Sequence, residues 1–122
     1  MDREAVDTAG LGRLHVEVAQ HGHTAVFTPA GELDHHTADL LSGPLDAALD
    51  GGANRLVVDC SQLEFCDSTG LNVLLSARLR AEAGGGGVHL AAMRPTVARV
   101  LEITGADAVF TLHDTLDQAL RE

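Results

Sequence analysis

The 122-residue chain has no tryptophan, no tyrosine and no lysine, and only three phenylalanines. So few rings leave no stacking platform for single-stranded nucleic acid. The hydrophobic 45% of the chain must therefore build its core from Leu, Val and Ala. Eight arginines against eighteen acidic residues give a formal charge of −10. A surface of that sign repels phosphate backbones and anionic lipid, which argues against nucleic-acid and membrane-surface binding and for a positively charged protein partner. The two cysteines, Cys60 and Cys66, are spaced as neither a zinc ribbon nor a CxxC redox motif. They read as one buried thiol at a strand end and one partly packed thiol. A redox disulfide between them would need Cα atoms within about 7 Å. No stretch approaches the ~20 apolar residues of a membrane span. Asp2, Glu4 and Asp7 have no apolar run behind them, unlike a secretory leader, so the expected location is the reducing cytoplasm.

What is present is the patterning of one α/β domain. Residues 1–12 are polar and expected to be flexible, and 13–122 to form the domain. Leu14, Val16 and Val18 alternate with His15 and Glu17, the period of a half-buried strand. Gln20–His23 supplies a turn and Thr24–Thr28 the returning strand of an antiparallel hairpin. Gly31–His36 reads as the loop leaving it. A helix opening at His36 or Thr37 is expected to bury Ala38, Leu40, Leu41, Leu45, Ala48 and Leu49, with Pro44 imposing a bend or a late start. Arg55–Asp59 is a buried central strand. A helix from Ser68 carries the stripe Leu71, Leu74, Leu75 and Leu79 and stops at Gly84–Gly87. Then follow a strand over Val88–Ala92, a helix opened by Pro95 and closed at Gly105, a short strand at Ala108–Phe110, and a helix Thr115–Leu120 capped by Asp114. The expected fold is thus α/β, with a mixed four- to five-stranded sheet, an N-terminal antiparallel hairpin and about four helices.

The stretch with chemical content is Leu63-Glu64-Phe65-Cys66-Asp67-Ser68-Thr69-Gly70-Leu71. Asp67 is a natural N-cap, placing the Ser68 and Thr69 hydroxyls in the first turn, where free N–H groups and the positive end of the helix dipole lie. A phosphate added there would meet those N–H groups and stay accessible to solvent. Taken alone, Asp-Ser-Thr reads first as a capping sequence, because such residues are enriched at helix starts.

Its company alters that reading. Gly31-Glu32-Leu33-Asp34-His35-His36-Thr37-Ala38, then Asp67-Ser68-Thr69-Gly70-Leu71, then Pro95-Thr96-Val97-Ala98-Arg99-Val100-Leu101 resemble the STAS family in order and spacing. The match runs over residues of about 14 to 120 and is closest in character to the bacterial anti-sigma-factor antagonists of sporulation and stress-response partner-switching systems. The resemblance implies a non-enzymatic regulator without a cofactor. Its unphosphorylated form would bind an anti-sigma factor that is also a serine kinase, releasing the sigma factor. Phosphorylation at Ser68 would inactivate it, and a PP2C-type phosphatase would restore it. Thr69 stands where many relatives have a second serine. Glu32, Asp34, Asp67, Ser68 and Thr69 are the implied partner-binding residues. STAS domains also serve as accessory subunits of transporters and in stress-sensing scaffolds, which is the alternative role.

Other chemistries fit less well. Asp34, His35 and His36 are adjacent on one loop, and neighbouring histidines seldom converge on one metal ion. No GxSxG elbow surrounds Ser68, so a catalytic nucleophile is not expected. Gly84–Gly87 lacks the GK[ST] ending of a phosphate-binding loop.

Overall fold

The computed structural model describes residues 13–121; the N-terminal segment 1–12 lies outside the described residues. Strand β1 (Leu14–His21) turns tightly at Gly22–His23 into β2 (Thr24–Leu33), and the two pair antiparallel from Leu14↔Gly31 to His21↔Thr24. Helix α1 (Ala38–Asp50) leads to β3 (Arg55–Asp59) and a further short strand, β4 (Leu63–Cys66). Then come α2 (Ser68–Ala83), β5 (Gly87–Ala91), α3 (Pro95–Thr104), a 3-10 turn at Ala106–Ala108, β6 (Thr111–His113) and α4 (Leu116–Arg121). The sheet order is β1-β2-β3-β5-β6, with every pairing after the hairpin parallel.

The expected α/β fold is what the chain adopts, with β4 as an additional strand. Strand β2 is ten residues long and has two parallel neighbours in succession. Its first half lies beside β3, and its last residues, beyond an irregularity at Gly31/Glu32, lie beside β4. The Gly31–Leu33 stretch is accordingly strand rather than loop. Both β2 and β4 end at the same edge of the sheet, so the segments that follow them meet.

Alternation divides the sheet into two faces. Ala25, Phe27, Leu56, Val58, Val88 and Leu90 project into the main core, closed by Leu41 and Leu45 of α1, Leu71 and Leu74 of α2, and Val97 and Leu101 of α3. Val26, Val57 and Ala91 face the other way and are covered by Leu116, Ala119 and Leu120 of α4.

Several expectations are corrected by this packing. Helix α1 starts at once after Thr37 and runs through Pro44, while Leu40 is exposed rather than buried. In α2 the inward face is Gly70, Leu71, Leu74, Ala77 and Ala81, and Leu79 is 63% exposed. Small residues do the inward packing there, because α2 lies close over the sheet. The last strand falls at Thr111–His113 instead of Ala108–Phe110; the 3-10 turn takes up Ala106–Ala108, and Phe110 plugs the main core. Thr115, not Asp114, caps α4, its Oγ1 accepting from the Gln118 N–H at 3.2 Å.

Candidate functional site

The edge where β2 and β4 end carries both singled-out segments. Asp67 is the N-cap of α2: its backbone is extended (φ −95°, ψ −175°) and its Oδ1 accepts from the Gly70 N–H at 2.9 Å. Its other oxygen reaches across to the loop after β2, accepting from the His35 N–H at 3.2 Å, with His35 Nδ1 at 3.7 Å. The Asp67 N–H donates to Leu33 O at 3.1 Å. One residue therefore fixes the start of α2 and ties it to the end of β2.

Gly70 completes that joint. A Cβ at this position would lie 2.6 Å from Leu33 Cγ and 2.9 Å from Leu33 O, so the helix packs this closely on β2 only without a side chain there. Leu33 itself is fully buried. Gly31 has the matching constraint: its φ is +117°, and a Cβ would meet Arg13 O at 2.1 Å. The glycines of the two segments thus serve close backbone approach.

The loop from Asp34 to Thr37 is closed by its own side chains. Asp34 Oδ1 accepts from the His36 N–H at 2.9 Å and the Thr37 N–H at 3.1 Å. Thr37 Oγ1 donates to Glu32 O at 2.8 Å and accepts from the Asp34 N–H at 2.9 Å. Asp34 Oδ2 is paired with the Arg13 guanidinium. Burial raises the Asp34 carboxyl pKa, but the His36 N–H, the Arg13 charge and Thr37 together outweigh it and hold the pKa below 3.8. Asp34 was expected at the partner surface, yet it is only 8% exposed. It belongs to the internal bonding of the loop, and Arg13, which had drawn no attention in the sequence, is its counter-charge.

The structure brings the remaining residues together at one surface. Glu32, His35, His36, Ser68 and Thr69 are exposed, and Asp67 is half-buried between them. Ser68 and Thr69 are the first two residues of α2, in the turn whose N–H groups have no intrahelical acceptor. The two imidazoles of His35 and His36 lie against each other, with centroids 3.9 Å apart, while the Asp34 carboxylate faces away from solvent towards Arg13. Among the described residues no three His, Cys, Asp or Glu side chains are grouped so as to hold a metal ion.

Cys60 follows β3 and Cys66 is the last residue of β4, and both are buried free thiols. Burial pushes each up to about 12, helped by the Asp59 charge near Cys60 and the Asp67 charge near Cys66. One of the two was expected to be only partly packed, yet each is 1% exposed. No helix among the described residues is long and apolar enough to cross a membrane.

A hairpin-led sheet, parallel beyond the hairpin, with a capped helix start seated against the end of β2, defines a small α/β domain. Residues 15–119 match the STAS domain model, and the chain belongs to that family. It is 30% identical over 110 residues to the anti-sigma F factor antagonist of Paenibacillus polymyxa, covering 89% of this chain and 94% of that one. It is 33% identical over 109 residues to the anti-sigma-F factor antagonist RsfB of Mycobacterium tuberculosis, covering 88% and 87%. Among solved structures, SpoIIAA in its unphosphorylated form superposes with a TM-score of 0.77 at 26% identity, covering 87% of this chain and 93% of that one. Bacillus SpoIIAA in the phosphorylated form superposes with a TM-score of 0.72 at 25% identity, covering 88% and 97%. These relatives bear the names of regulators, not of enzymes.

Proposed function

We propose that this chain is an anti-sigma-factor antagonist whose unphosphorylated form binds an anti-sigma factor with serine kinase activity and so frees a sigma factor. The observation that carries the reading is Ser68 itself: an exposed residue at the first position of α2, beside the exposed Glu32, His35 and Thr69. The names of the relatives supply the partner class, and a relative solved in phosphorylated and unphosphorylated forms supports modification as the control. In the modification, Ser68 Oγ attacks the γ-phosphorus of ATP, its proton is lost to a base or to water, and ADP leaves. A PP2C-type phosphatase reverses the step by hydrolysis. Glu32, Asp67, Ser68 and Thr69 form the contact surface, and Asp34 acts from beneath by holding the loop. The site of action is the cytoplasm, in sporulation or stress signalling.

The test uses the full chain, ATP and the anti-sigma kinases of the same genome, with phosphate mapped by mass spectrometry. One phosphate on Ser68, absent from Ser68→Ala, is expected, along with at least a hundredfold weaker binding of the phosphorylated chain, which corresponds to about 3 kcal/mol. No phosphate on the wild type, or undiminished phosphate on Ser68→Ala, would refute the assignment.

A further inference from the structure

The chain has three phenylalanines, and two of them are core residues: Phe27 is fully buried and Phe110 is 6% exposed. The third, Phe65, is 42% exposed. A single exposed apolar residue is ordinary on any protein surface, so exposure alone carries nothing here. Position is what separates Phe65 from the others. It lies on β4, three residues before Ser68, so chain reach alone keeps the two Cα atoms within about 11 Å. Its register partner across the sheet is Glu32, so the two side chains leave the same face from strands about 5 Å apart. Glu64, the preceding residue, is exposed as well.

Among the described residues three other large apolar side chains on helices are more exposed: Leu40 (51%), on the first turn of α1 after the Asp34–Thr37 loop, and Leu79 and Ile103, which lie elsewhere. Leu79 is 63% exposed but eleven residues along α2 from Ser68, about 16 Å down the helix axis. Ile103 is 72% exposed near the far end of α3. Phe65 is the exposed phenylalanine among the described residues, and three residues before Ser68 it is paired in register with Glu32. Interface centres are enriched in aromatic residues and depleted of charge, with charged groups left to the rim. A phenylalanine ring with the Glu32 carboxylate beside it has that layout on a small scale.

We propose that Phe65 is the apolar anchor of the docking surface beside Ser68, and that the partner offers an apolar pocket with an Arg or Lys at its rim facing Glu32. This rests on the anti-sigma-factor reading above and identifies the contact in which the binding strength concentrates. It also separates two tasks on one surface: the ring supplies affinity, and the serine beside it supplies control.

Binding of the full chain to the anti-sigma kinase is measured by calorimetry for wild type, Phe65→Ala, Phe65→Leu, Glu32→Gln and Leu79→Ala, at low and high salt. Phe65→Ala is expected to weaken binding about tenfold or more, Phe65→Leu by a few-fold, and Leu79→Ala not at all. The loss in Phe65→Ala persists when ionic strength is raised, whereas that of Glu32→Gln shrinks as the screening length falls below about 10 Å. Circular dichroism checks folding, and Phe65→Thr, which keeps a strand-forming residue, replaces the alanine variant if that one is unfolded. Alanine and threonine variants that bind within twofold of a binding wild type overturn the anchor alone. A wild type that binds no anti-sigma factor overturns the functional reading and the anchor together.

Discussion

Replacing Asp67 by alanine removes two hydrogen bonds made by one carboxylate, to the Gly70 N–H at 2.9 Å and to the His35 N–H at 3.2 Å. Loss of an acidic N-cap costs about 1 kcal/mol. The bond to His35 is on the exposed loop, where water replaces much of it, so it adds about 0.5–1 kcal/mol. The sum is about 1.5–2 kcal/mol, or a melting temperature lower by roughly 6–8 °C for a domain of this size. Asparagine divides the two contributions. Its Oδ1 still accepts from Gly70, but its amide N–H would confront the His35 N–H, so Asp67→Asn is expected to lose about half as much. Urea denaturation at neutral pH gives both numbers, with an unchanged slope indicating that only stability has moved. An alanine variant within about 0.5 kcal/mol of wild type would refute the bridging role. An asparagine variant as unstable as the alanine one would refute the division between cap and cross-link.

Two further outcomes follow from the same region. The Asp34 carboxyl is held below the ordinary aspartate value in the folded chain, so its ionised form contributes stability that is fully present above its unfolded value and is lost as pH falls through the folded value. Denaturation midpoints measured from about pH 5 to pH 3 are therefore expected to fall less steeply for Asp34→Asn than for wild type, and equal slopes would count against the Arg13 pairing. Cys60 and Cys66, with thiols pushed up to about 12, hold on the order of one thiolate in ten thousand at pH 8, so iodoacetamide should label them only after unfolding. Rapid labelling of the native chain, or a shift in non-reducing mobility after mild oxidation, would contradict their burial.

How far the residues alone reveal this arrangement depends on the range of the forces involved. The hairpin, the buried Arg55–Asp59 strand, the α2 start with Asp67 as its cap and the Gly105 stop are legible because alternation, capping and left-handed glycine are local. Strand β4 is not, since only Leu63 and Cys66 of its four residues are buried and the alternation is broken. It exists because β2 outruns β3 and needs a second neighbour. Leu40 and Leu79 mislead because period counting assigns any leucine on the stripe to the core, while small residues such as Ala77 and Ala81 take the close positions against the sheet. The Arg13–Asp34 pair joins residues 21 apart and has no local signature. A tight glycine does leave a signal: Gly70 after a capping triplet marks a helix start that something approaches closely.

These details bear on what a phosphate at Ser68 can change. In the free protein, a charge of −1.5 to −2 on the residue next to Asp67, acting on its carboxylate largely through water, costs about 1–1.5 kcal/mol. The α2 terminus returns roughly 0.3–1 kcal/mol of that. The balance is well under what the Asp67 cap, the bond to His35 and the Leu33–Gly70 contact hold in place, so α2 stays seated on β2. Against a docked partner the same charges act through a medium of effective dielectric nearer 20, where the repulsion grows about fourfold, to about 4–6 kcal/mol. Steric exclusion by the phosphate adds to it. A seat that is rigid before modification therefore directs nearly all of the effect to the interface and very little to the fold. It also predicts that a variant loosening the seat while keeping the Asp67 charge, Gly70→Ala, blunts the difference in binding between the phosphorylated and unphosphorylated chains.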